Sequence, residues 1–299
     1  MAKKEKEEVK KQFPIESRMP HPKGKLLAIG GREDKGEEKS ELQSHSQDFI
    51  KEEILKCFVD NLKGSNPLIV IIPTAASEPE KTANDYVKVF THLGVTNLHV
   101  LDIRDRSDAM KPENVEVISK AAGVMITGGD QLKLTAILGG TPLLEKLKER
   151  YTKENIIVAG TSAGAAALST PMIYEGEMNK GMLKGDVRIT TGLEFLKNVA
   201  IDTHFIQRGR IVRMAQCIAT NPGCIGVGLE EDTAILVTEG KKAEVIGTGL
   251  VTIVNGMNIT RSNIYEITNQ QPFTVCGLEV HLLSSKETYV FPTFEQLHA

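Results

Sequence analysis

The stretch IIVAGTSAGAAAL, residues 156–168, places Gly-Thr-Ser-Ala-Gly directly after a run of β-branched apolar residues. Small residues follow at the positions where a helix is expected to begin. This composition is typical of a buried strand that turns sharply into a helix, because the two backbones approach each other closely at the turn. The stretch therefore predicts a strand, a tight turn at Ser162 and a helix.

On the N-terminal side of this turn, strand and helix patterns alternate. Segments with helical character lie between short apolar runs; one spans residues 44–62, and another ends at Gly94. The alternation predicts an α/β fold with a parallel sheet covered by helices. The apolar runs that predict strands are KLLAIGG, PLIVIIPTAAS, NLHVLDI, GVMITGG and NIIVAG.

The second half of the chain has a different pattern. After Leu168, short β-rich pieces are separated by glycine and asparagine turns, which favours antiparallel or mixed pairing. No segment between the halves resembles a flexible linker, so we expect one α/β domain over residues 23–299. The charged residues 1–22 are expected to form a disordered tail.

Composition limits the classes of function. The 299 residues carry a formal net charge of −3, which does not indicate a nucleic-acid partner. The sequence has no apolar run of about 18 residues and no signal-peptide pattern, so we expect no membrane association and a cytoplasmic location. The four cysteines are scattered among apolar residues and are expected to be reduced, buried thiols. No metal-ligand cluster is visible, and we expect neither metal nor organic cofactor.

Residues 160–164 fit the G-x-S-x-G pattern of a nucleophile elbow. Gly160 and Gly164 stand where the strand and helix backbones crowd a side chain, and the Ser162 hydroxyl would project outward. Two other predicted strands also end in glycine pairs, and the carboxyl ends of parallel strands form sites at one edge of a sheet. A phosphate-binding turn or a purely structural turn remains the alternative interpretation of the pattern.

A nucleophilic serine needs a general base. We select His204, because it follows the strand-like segment NVAID and precedes a segment rich in arginine. A structural loop histidine is the alternative interpretation. His99 lies inside an apolar run and is expected to be a core residue. The remaining histidines lie in the tails, on predicted helices or in a late strand, and these are His21, His45, His92, His281 and His298.

The base in turn needs an orienting acid. Glu230, Glu231 and Asp232 form an acidic cluster between two apolar runs, which is unusual for a plain strand. One buried carboxylate bonded to His204 would explain the cluster, and a tight acidic turn is the alternative. Asp202 is a second candidate, because residues two apart in an extended segment point to the same face.

Taken together, these segments resemble peptidase family S51, serine peptidases that include cyanophycin-degrading enzymes and aspartyl dipeptidases. The resemblance covers roughly residues 24–290. It implies a three-layer α/β/α sandwich with a mainly parallel central sheet, similar to the class I glutamine amidotransferases, and a homodimer. The segments that carry the resemblance are LLAIGGREDK, IPTAASEP, LDIRDRSDA, ITGGDQLKLT, GTSAGAAALS, DTHFIQRGR and GLEEDTA.

Carried over by position, the resemblance implies Ser162 as the nucleophile, His204 as the base and Glu231 as the third member of a triad. The oxyanion would be held by backbone N–H groups of Ala163 and of the Gly128–Gly129 turn. Thr203 departs from the family's glutamine at this position, which bears on substrate preference. The implied substrate-binding residues are Gln131, Asp202, Thr203, Arg208, Arg210 and Arg213.

The substrate that the resemblance implies is cyanophycin, a polyaspartate chain with arginine attached through each β-carboxyl group, which would be hydrolysed to β-Asp-Arg. Carboxylates of the pocket would pair with the guanidinium groups, and the pocket arginines would hold carboxylates. An exopeptidase for short aspartyl or isoaspartyl peptides would use the same elbow with another pocket. The third interpretation is a non-catalytic protein that binds an anionic ligand at the glycine turns.

Overall fold

A computed structural model describes residues 21–36, 50–176 and 182–292 of the chain. The expected tail, residues 1–22, lies outside the described residues except for its last two positions. The first part of the helix expected over residues 44–62 also lies outside them. In the described part this helix spans Glu53–Asp60.

Each predicted helix that lies within the described residues is present. Several helices start with signals that the sequence carries: three have a proline at the first helical position, and in another the Asp130 side chain accepts hydrogen bonds from the Leu132 and Lys133 N–H groups. The helices are α1 (Glu53–Asp60), α2 (Pro79–His92), α3 (Pro112–Lys120), α4 (Gln131–Leu138), α5 (Pro142–Lys153), α6 (Ala163–Ala167) and α7 (Ile211–Thr220).

The strands are short, as the apolar runs predict. In chain order they are β1 (Lys25–Ile29), β2 (Ile69–Ile72), β3 (Leu98–Val100), β4 (Gly123–Ile126), β5 (Ile157–Thr161), β6 (Ser169–Thr170), β7 (Met172–Glu175), β8 (Arg188–Thr190), β9 (Leu196–Lys197), β10 (Val199–Thr203), β11 (Ile225–Leu229), β12 (Thr233–Thr238), β13 (Lys242–Gly247), β14 (Val251–Asn255), β15 (Arg261–Ser262), β16 (Val275–Cys276), β17 (Glu279–Leu283) and β18 (Thr288–Val290).

The central sheet has the strand order β18-β13-β12-β1-β5-β4-β2-β3. The five strands from the first half of the chain pair in parallel, so their carboxyl ends lie along one edge. The predicted parallel sheet is therefore confirmed. Strand β12 pairs antiparallel with β1 and leads to β13 and β18, which also pair antiparallel.

Both faces of the central sheet are covered. Alternate residues of its strands point to opposite faces: Leu27 and Ile71 belong to a cluster with residues of α1 and α2, whereas Leu26 and Val70 belong to a cluster with residues of α3 and α5. These layers bury β1, β2, β4 and β5 almost completely, which explains why their apolar runs do not alternate with polar residues. The expected α/β architecture is confirmed.

The second half of the chain also builds a mixed sheet of its own. Its order is β17-β14-β11-β10-β6-β9, with β10 parallel to β11 and with β14 and β17 antiparallel. One face of this sheet joins the core of the central sheet, and Met214 and Cys217 of α7 pack on the other face. This arrangement brings the end of β10 next to the end of β1, because the His204 N–H donates to the Gly30 carbonyl at 3.1 Å.

Two expectations about buried residues are wrong. His99 is exposed, because β3 is an edge strand of the central sheet and no strand within residues 21–36, 50–176 and 182–292 pairs beyond it. All four cysteines have free thiols, but only Cys217 is buried and the others are half-buried. Within the described ranges, the helices are too short or too polar to cross a membrane.

Candidate active site

Ser162 lies at the sharp turn between β5 and α6 with φ 50° and ψ −114°. A non-glycine residue with positive φ is strained and persists only where its surroundings hold it. The Ser162 N–H donates to the Ile29 carbonyl at 2.9 Å. A Cβ atom on Gly160 would lie 2.5 Å from the Gly164 carbonyl group, and one on Gly164 would collide with the carbonyl oxygen of Ile126. The crowding expected at both glycines is present.

His204 is the first residue after β10 and also has a positive φ, 49°. This backbone turn directs the imidazole toward the elbow, and the Nε2 atom lies 3.0 Å from the Ser162 Oγ atom. The ring also packs on Gly31, where a Cβ atom would lie 2.6 Å from it. The predicted proximity of serine and histidine is therefore present in the structure.

Glu231 lies between β11 and β12, and its Oε1 atom is 2.7 Å from the His204 Nδ1 atom. A carboxylate can only accept this hydrogen bond, so Nδ1 carries a proton and Nε2 of the neutral ring is left to accept from the serine. The exposed Arg32 approaches the same Oε1 atom at 3.4 Å from the solvent side. Serine, imidazole and carboxylate thus form one continuous chain of polar contacts.

The other acids of the cluster have different partners. Glu230 accepts from the Leu250 N–H at 2.9 Å, and Asp232 accepts from the Asp34 N–H at 3.0 Å. Both carboxylates are buried and join loops to the sheet. Among the acids that the sequence leaves open, the structure therefore places Glu231 on the imidazole.

The surroundings of His204 favour its neutral form. Burial lowers the pKa of His204 below its ordinary value of 6.5, and the positive charges of Arg208 and Arg210 lower it further. Glu231 acts in the opposite direction, because its hydrogen bond and negative charge stabilise the imidazolium. The result is a pKa below 6.5, so the ring is a free base at neutral pH.

Asp202 is a buried carboxylate held by two arginines. It is only 2% exposed, and it accepts hydrogen bonds from Arg210 at 2.9 Å and from Arg213 at 2.6 Å, with a second, short contact from Arg213. Arg213 is itself buried. Asp202 and Arg213 thus neutralise each other inside the protein, and their role in substrate binding stays a prediction.

The remaining predicted pocket residues differ in accessibility. Arg208 is exposed beside His204, whereas Thr203 is buried in β10. Arg210 is partly buried, and burial lowers its pKa to about 10 despite the attraction of Asp202. Gln131 is half-buried at the start of α4, and its amide lies 3.4 Å from the backbone carbonyl of Tyr174.

The backbone near the elbow has the groups expected of an oxyanion site. Ala163 is the first residue of α6, so its N–H has no acceptor within the helix. Gly128 follows β4, and a Cβ atom on it would lie 3.2 Å from the Ser162 Cβ atom. Gly129 has φ 142° and no space for a side chain against the Ala75 carbonyl. The glycine pair thus keeps the space next to the serine open.

A cavity of about 310 Å³ opens at this edge of the sheet. Ser162 and His204 are part of its wall, so a ligand in it would contact both. A larger cavity of about 550 Å³ lies beside α4, α5 and residues 190–194 and includes none of the predicted site residues. Of these two cavities, the smaller one therefore contains the candidate catalytic residues. The charged and aromatic residues in its wall are Arg32, Glu33, Lys35, Asp85, Tyr86 and His204.

Three residues of this wall were not predicted from the sequence: Glu33, Lys35 and Tyr86. Glu33 and Lys35 lie in the IGGREDK segment, directly after a glycine pair that ends a strand. This position could have predicted a place in the site, because the carboxyl ends of parallel strands form binding sites. Tyr86 gave no separate signal, since it is also one of the apolar residues on the buried face of α2.

The fold of this chain is similar to the folds of solved peptidase structures. A crystal structure of a peptidase from an acI-B1 Actinobacterium superposes with a TM-score of 0.63 at 23% identity, covering 91% of this chain and 99% of that one. A putative peptidase E protein from Listeria monocytogenes superposes with a TM-score of 0.50 at 17% identity, covering 75% and 98%. The expected class I glutamine amidotransferase-like α/β fold is thus confirmed.

Sequence similarity extends over most of the chain. A cyanophycinase from Synechococcus elongatus is 34% identical over 276 residues, covering 92% of this chain and 82% of that protein. A cyanophycinase from Geminocystis herdmanii is 33% identical over 264 residues, covering 88% and 92%. The model of peptidase family S51 matches residues 41–246. The chain belongs to peptidase family S51, as the resemblance implied, and is therefore a peptidase and a hydrolase.

The crowding at the elbow predicts the cost of one methyl group. Gly160→Ala should lower the free energy of unfolding by about 1–3 kcal/mol, because the new Cβ atom has to displace the backbone of α6. Urea denaturation measures the change. Gly223→Ala is the matched control, since a Cβ atom there meets no atom of the described part of the chain within 4 Å. Equal stability of the two variants would contradict the crowding.

Proposed function

We propose that this chain is a serine-type peptidase that hydrolyses cyanophycin to β-Asp-Arg dipeptides with a triad of Ser162, His204 and Glu231. The single observation that carries the proposal is the contact chain from Oγ through the imidazole to the carboxylate, with distances of 3.0 and 2.7 Å. The substrate is supported by relatives named cyanophycinase at 34% identity.

Release of β-Asp-Arg from a polyaspartate chain requires cleavage of the backbone amide between two substituted aspartyl units. His204 Nε2 takes the proton of the Ser162 hydroxyl while Oγ forms a bond to the aspartyl carbonyl carbon. The imidazolium formed in this step is stabilised by the carboxylate of Glu231. His204 then gives the proton to the departing amine as the amide C–N bond breaks, which leaves an ester on Ser162.

Water completes the turnover. His204, again neutral, takes a proton from a water molecule that attacks the ester carbonyl, and the C–Oγ bond breaks as the proton returns to Ser162. In both halves a negative charge develops on the carbonyl oxygen. The N–H groups of Ala163 and of the Gly128–Gly129 turn are the proposed donors to it, and loss of one such donor typically costs roughly 100- to 1000-fold in turnover.

Charges around the cavity suit a substrate with both signs of charge. Each unit of the polymer carries a free carboxylate and a guanidinium group. Arg208, which is exposed, and the partly buried Arg210 lie outside the lining of this cavity and are proposed to hold carboxylates in an adjoining wall, which Gln131 and the backbone at Thr203 would complete. Asp202 and Arg213 support this wall from within by holding Arg210 and the start of α7 in place.

The nucleophile assignment predicts a loss of chemistry without a loss of fold. Ser162→Ala should abolish release of β-Asp-Arg from purified cyanophycin, because no other group can form the ester. Mass analysis of the products and circular dichroism measure the two properties. Ser65→Ala, at an exposed position, is the control and should remain active. Retained hydrolysis in Ser162→Ala would rule out the triad.

The same assay separates the polymer from short peptides as substrate. The proposal predicts that β-Asp-Arg is released from the insoluble polymer and that the wild-type protein reacts covalently with a fluorophosphonate at Ser162. Cleavage confined to free aspartyl or isoaspartyl dipeptides would replace the substrate but keep the triad. An unreactive Ser162 would reject the nucleophile altogether.

The lowered pKa of His204 predicts the acid side of the pH–rate profile. Only the neutral ring accepts the serine proton, so kcat/KM should rise with pH through a midpoint below 6.5 and then level off. Arg208→Gln removes a positive charge that disfavours imidazolium, so the pKa of His204 and the midpoint should move to higher pH. Profiles from about pH 4 to 9 measure the shift. Arg261→Gln, at an exposed arginine in the separate β15–β16 sheet, is the control, and identical midpoints for wild type and Arg208→Gln would contradict the electrostatic account.

A further inference from the structure

Glu33 is a buried carboxylate that the proposed triad does not use. It lies two residues beyond Gly31 in the loop after β1, and its side chain is 1% exposed. It also forms part of the wall of the cavity that contains Ser162. A buried charge is retained at a cost, so its partners indicate what it does.

The partners of Glu33 come from a strand, a helix and its own loop. The Thr161 hydroxyl donates to Oε2 at 2.7 Å, and the Tyr86 hydroxyl of α2 makes a short hydrogen bond to Oε1. Lys35 lies 3.1 Å from the same Oε1 atom. Thr161 is the last residue of β5 and directly precedes Ser162, so this carboxylate connects the nucleophile turn to α2 and to the loop after β1.

The ionisation of this group fits a permanent acceptor. Burial alone would raise the pKa of Glu33, but the charge of Lys35 and the hydrogen bonds from Tyr86 and Thr161 outweigh it and lower the pKa. Burial and the neighbouring carboxylate raise the pKa of Tyr86 well above 10, so the phenol stays a donor. Lys35 also lies over the Tyr86 ring, 4.8 Å from its centre.

We propose that Glu33 is a positioning residue for Ser162, which holds the elbow in its strained conformation by fixing the hydroxyl of Thr161. This inference rests on the proposed function, because it assumes that Ser162 is the nucleophile. The strained φ of Ser162, 50°, has to be maintained by the surroundings, and the hydrogen bond from the Thr161 hydroxyl to Glu33 is the side-chain contact directly before it. Loss of this hydrogen bond would let the Ser162 Oγ atom move relative to the His204 Nε2 atom, and misplacement of about 1 Å costs roughly 100-fold in rate.

The decisive variants change the Thr161 side of the hydrogen bond between Thr161 and Glu33. Thr161→Val keeps the shape of the side chain and removes the donor, whereas Thr161→Ser keeps the donor. Thr252→Val is the matched control, because Thr252 is buried in a strand and its hydroxyl has no hydrogen-bond partner among the described residues. Glu33→Gln removes the charge itself, and Glu52→Gln is its control at another buried carboxylate.

Three measurements are made on each folded variant: kcat and KM for cyanophycin, and the rate at which a fluorophosphonate labels Ser162. Thr161→Val and Glu33→Gln should each lower kcat and the labelling rate about 10- to 100-fold, with KM for Thr161→Val unchanged within about threefold. Thr161→Ser should restore both rates to within about threefold of wild type. The double variant should lose no more than the worse single variant, because both changes break one contact.

The outcomes separate this inference from the proposed function. If wild-type Ser162 is not labelled, the proposed nucleophile fails and this inference fails with it. If the wild type is labelled and Thr161→Val is labelled equally fast, the triad stands and the positioning role is overturned. A loss of thermal stability without a change in kcat or labelling would make the contact purely structural. If Glu33→Gln does not fold, the Thr161 series decides alone.

Discussion

The geometry of the site depends on three successive backbone carbonyl groups at the end of β1. The carbonyls of residues 29–31 accept hydrogen bonds from the N–H groups of Ser162, His204 and Asp232, at 2.9, 3.1 and 2.8 Å. Each of these N–H groups belongs to a different strand end, and Asp232 is the neighbour of Glu231. One strand end therefore sets the mutual positions of hydroxyl, imidazole and carboxylate, although the chain separates them by tens of residues.

This arrangement explains why the strand ends in two glycines. A side chain on Gly30 would run into the backbone of Glu230, and one on Gly31, which has φ 101°, would occupy the place of the imidazole. Carbonyl groups can approach three other segments only where no Cβ atom intervenes. The loop then continues to Glu33, whose carboxylate reaches Thr161, so the same segment contacts the elbow through its backbone and through a side chain.

The sequence predicted the parts of the molecule that local patterns determine. Apolar runs and G-x-S-x-G gave the parallel strands and the turn at Ser162, because these follow from periodicity and local sterics. Antiparallel or mixed pairing was predicted for the second half of the chain and is present, but the formation of a separate sheet was not predicted, since the pairing of short strands depends on distant partners. The same limit applies to single residues: His99 is exposed because of its sheet position, and Asp202 is paired because Arg210, just before α7, and Arg213 of α7 reach it.

The charges around the imidazole solve two opposing requirements of a general base. The ring has to be neutral before reaction, and burial together with Arg208 and Arg210 ensures this by disfavouring its protonated form. It also has to become a cation in the transition state, and Glu231 at 2.7 Å stabilises that form. Asp202 takes up part of the charge of Arg210, so the arginine repels the imidazolium less than an unpaired one would. The contact between Asp202 and Arg210, two residues that the sequence assigned to substrate binding, therefore weakens the effect of Arg210 on the pKa of His204.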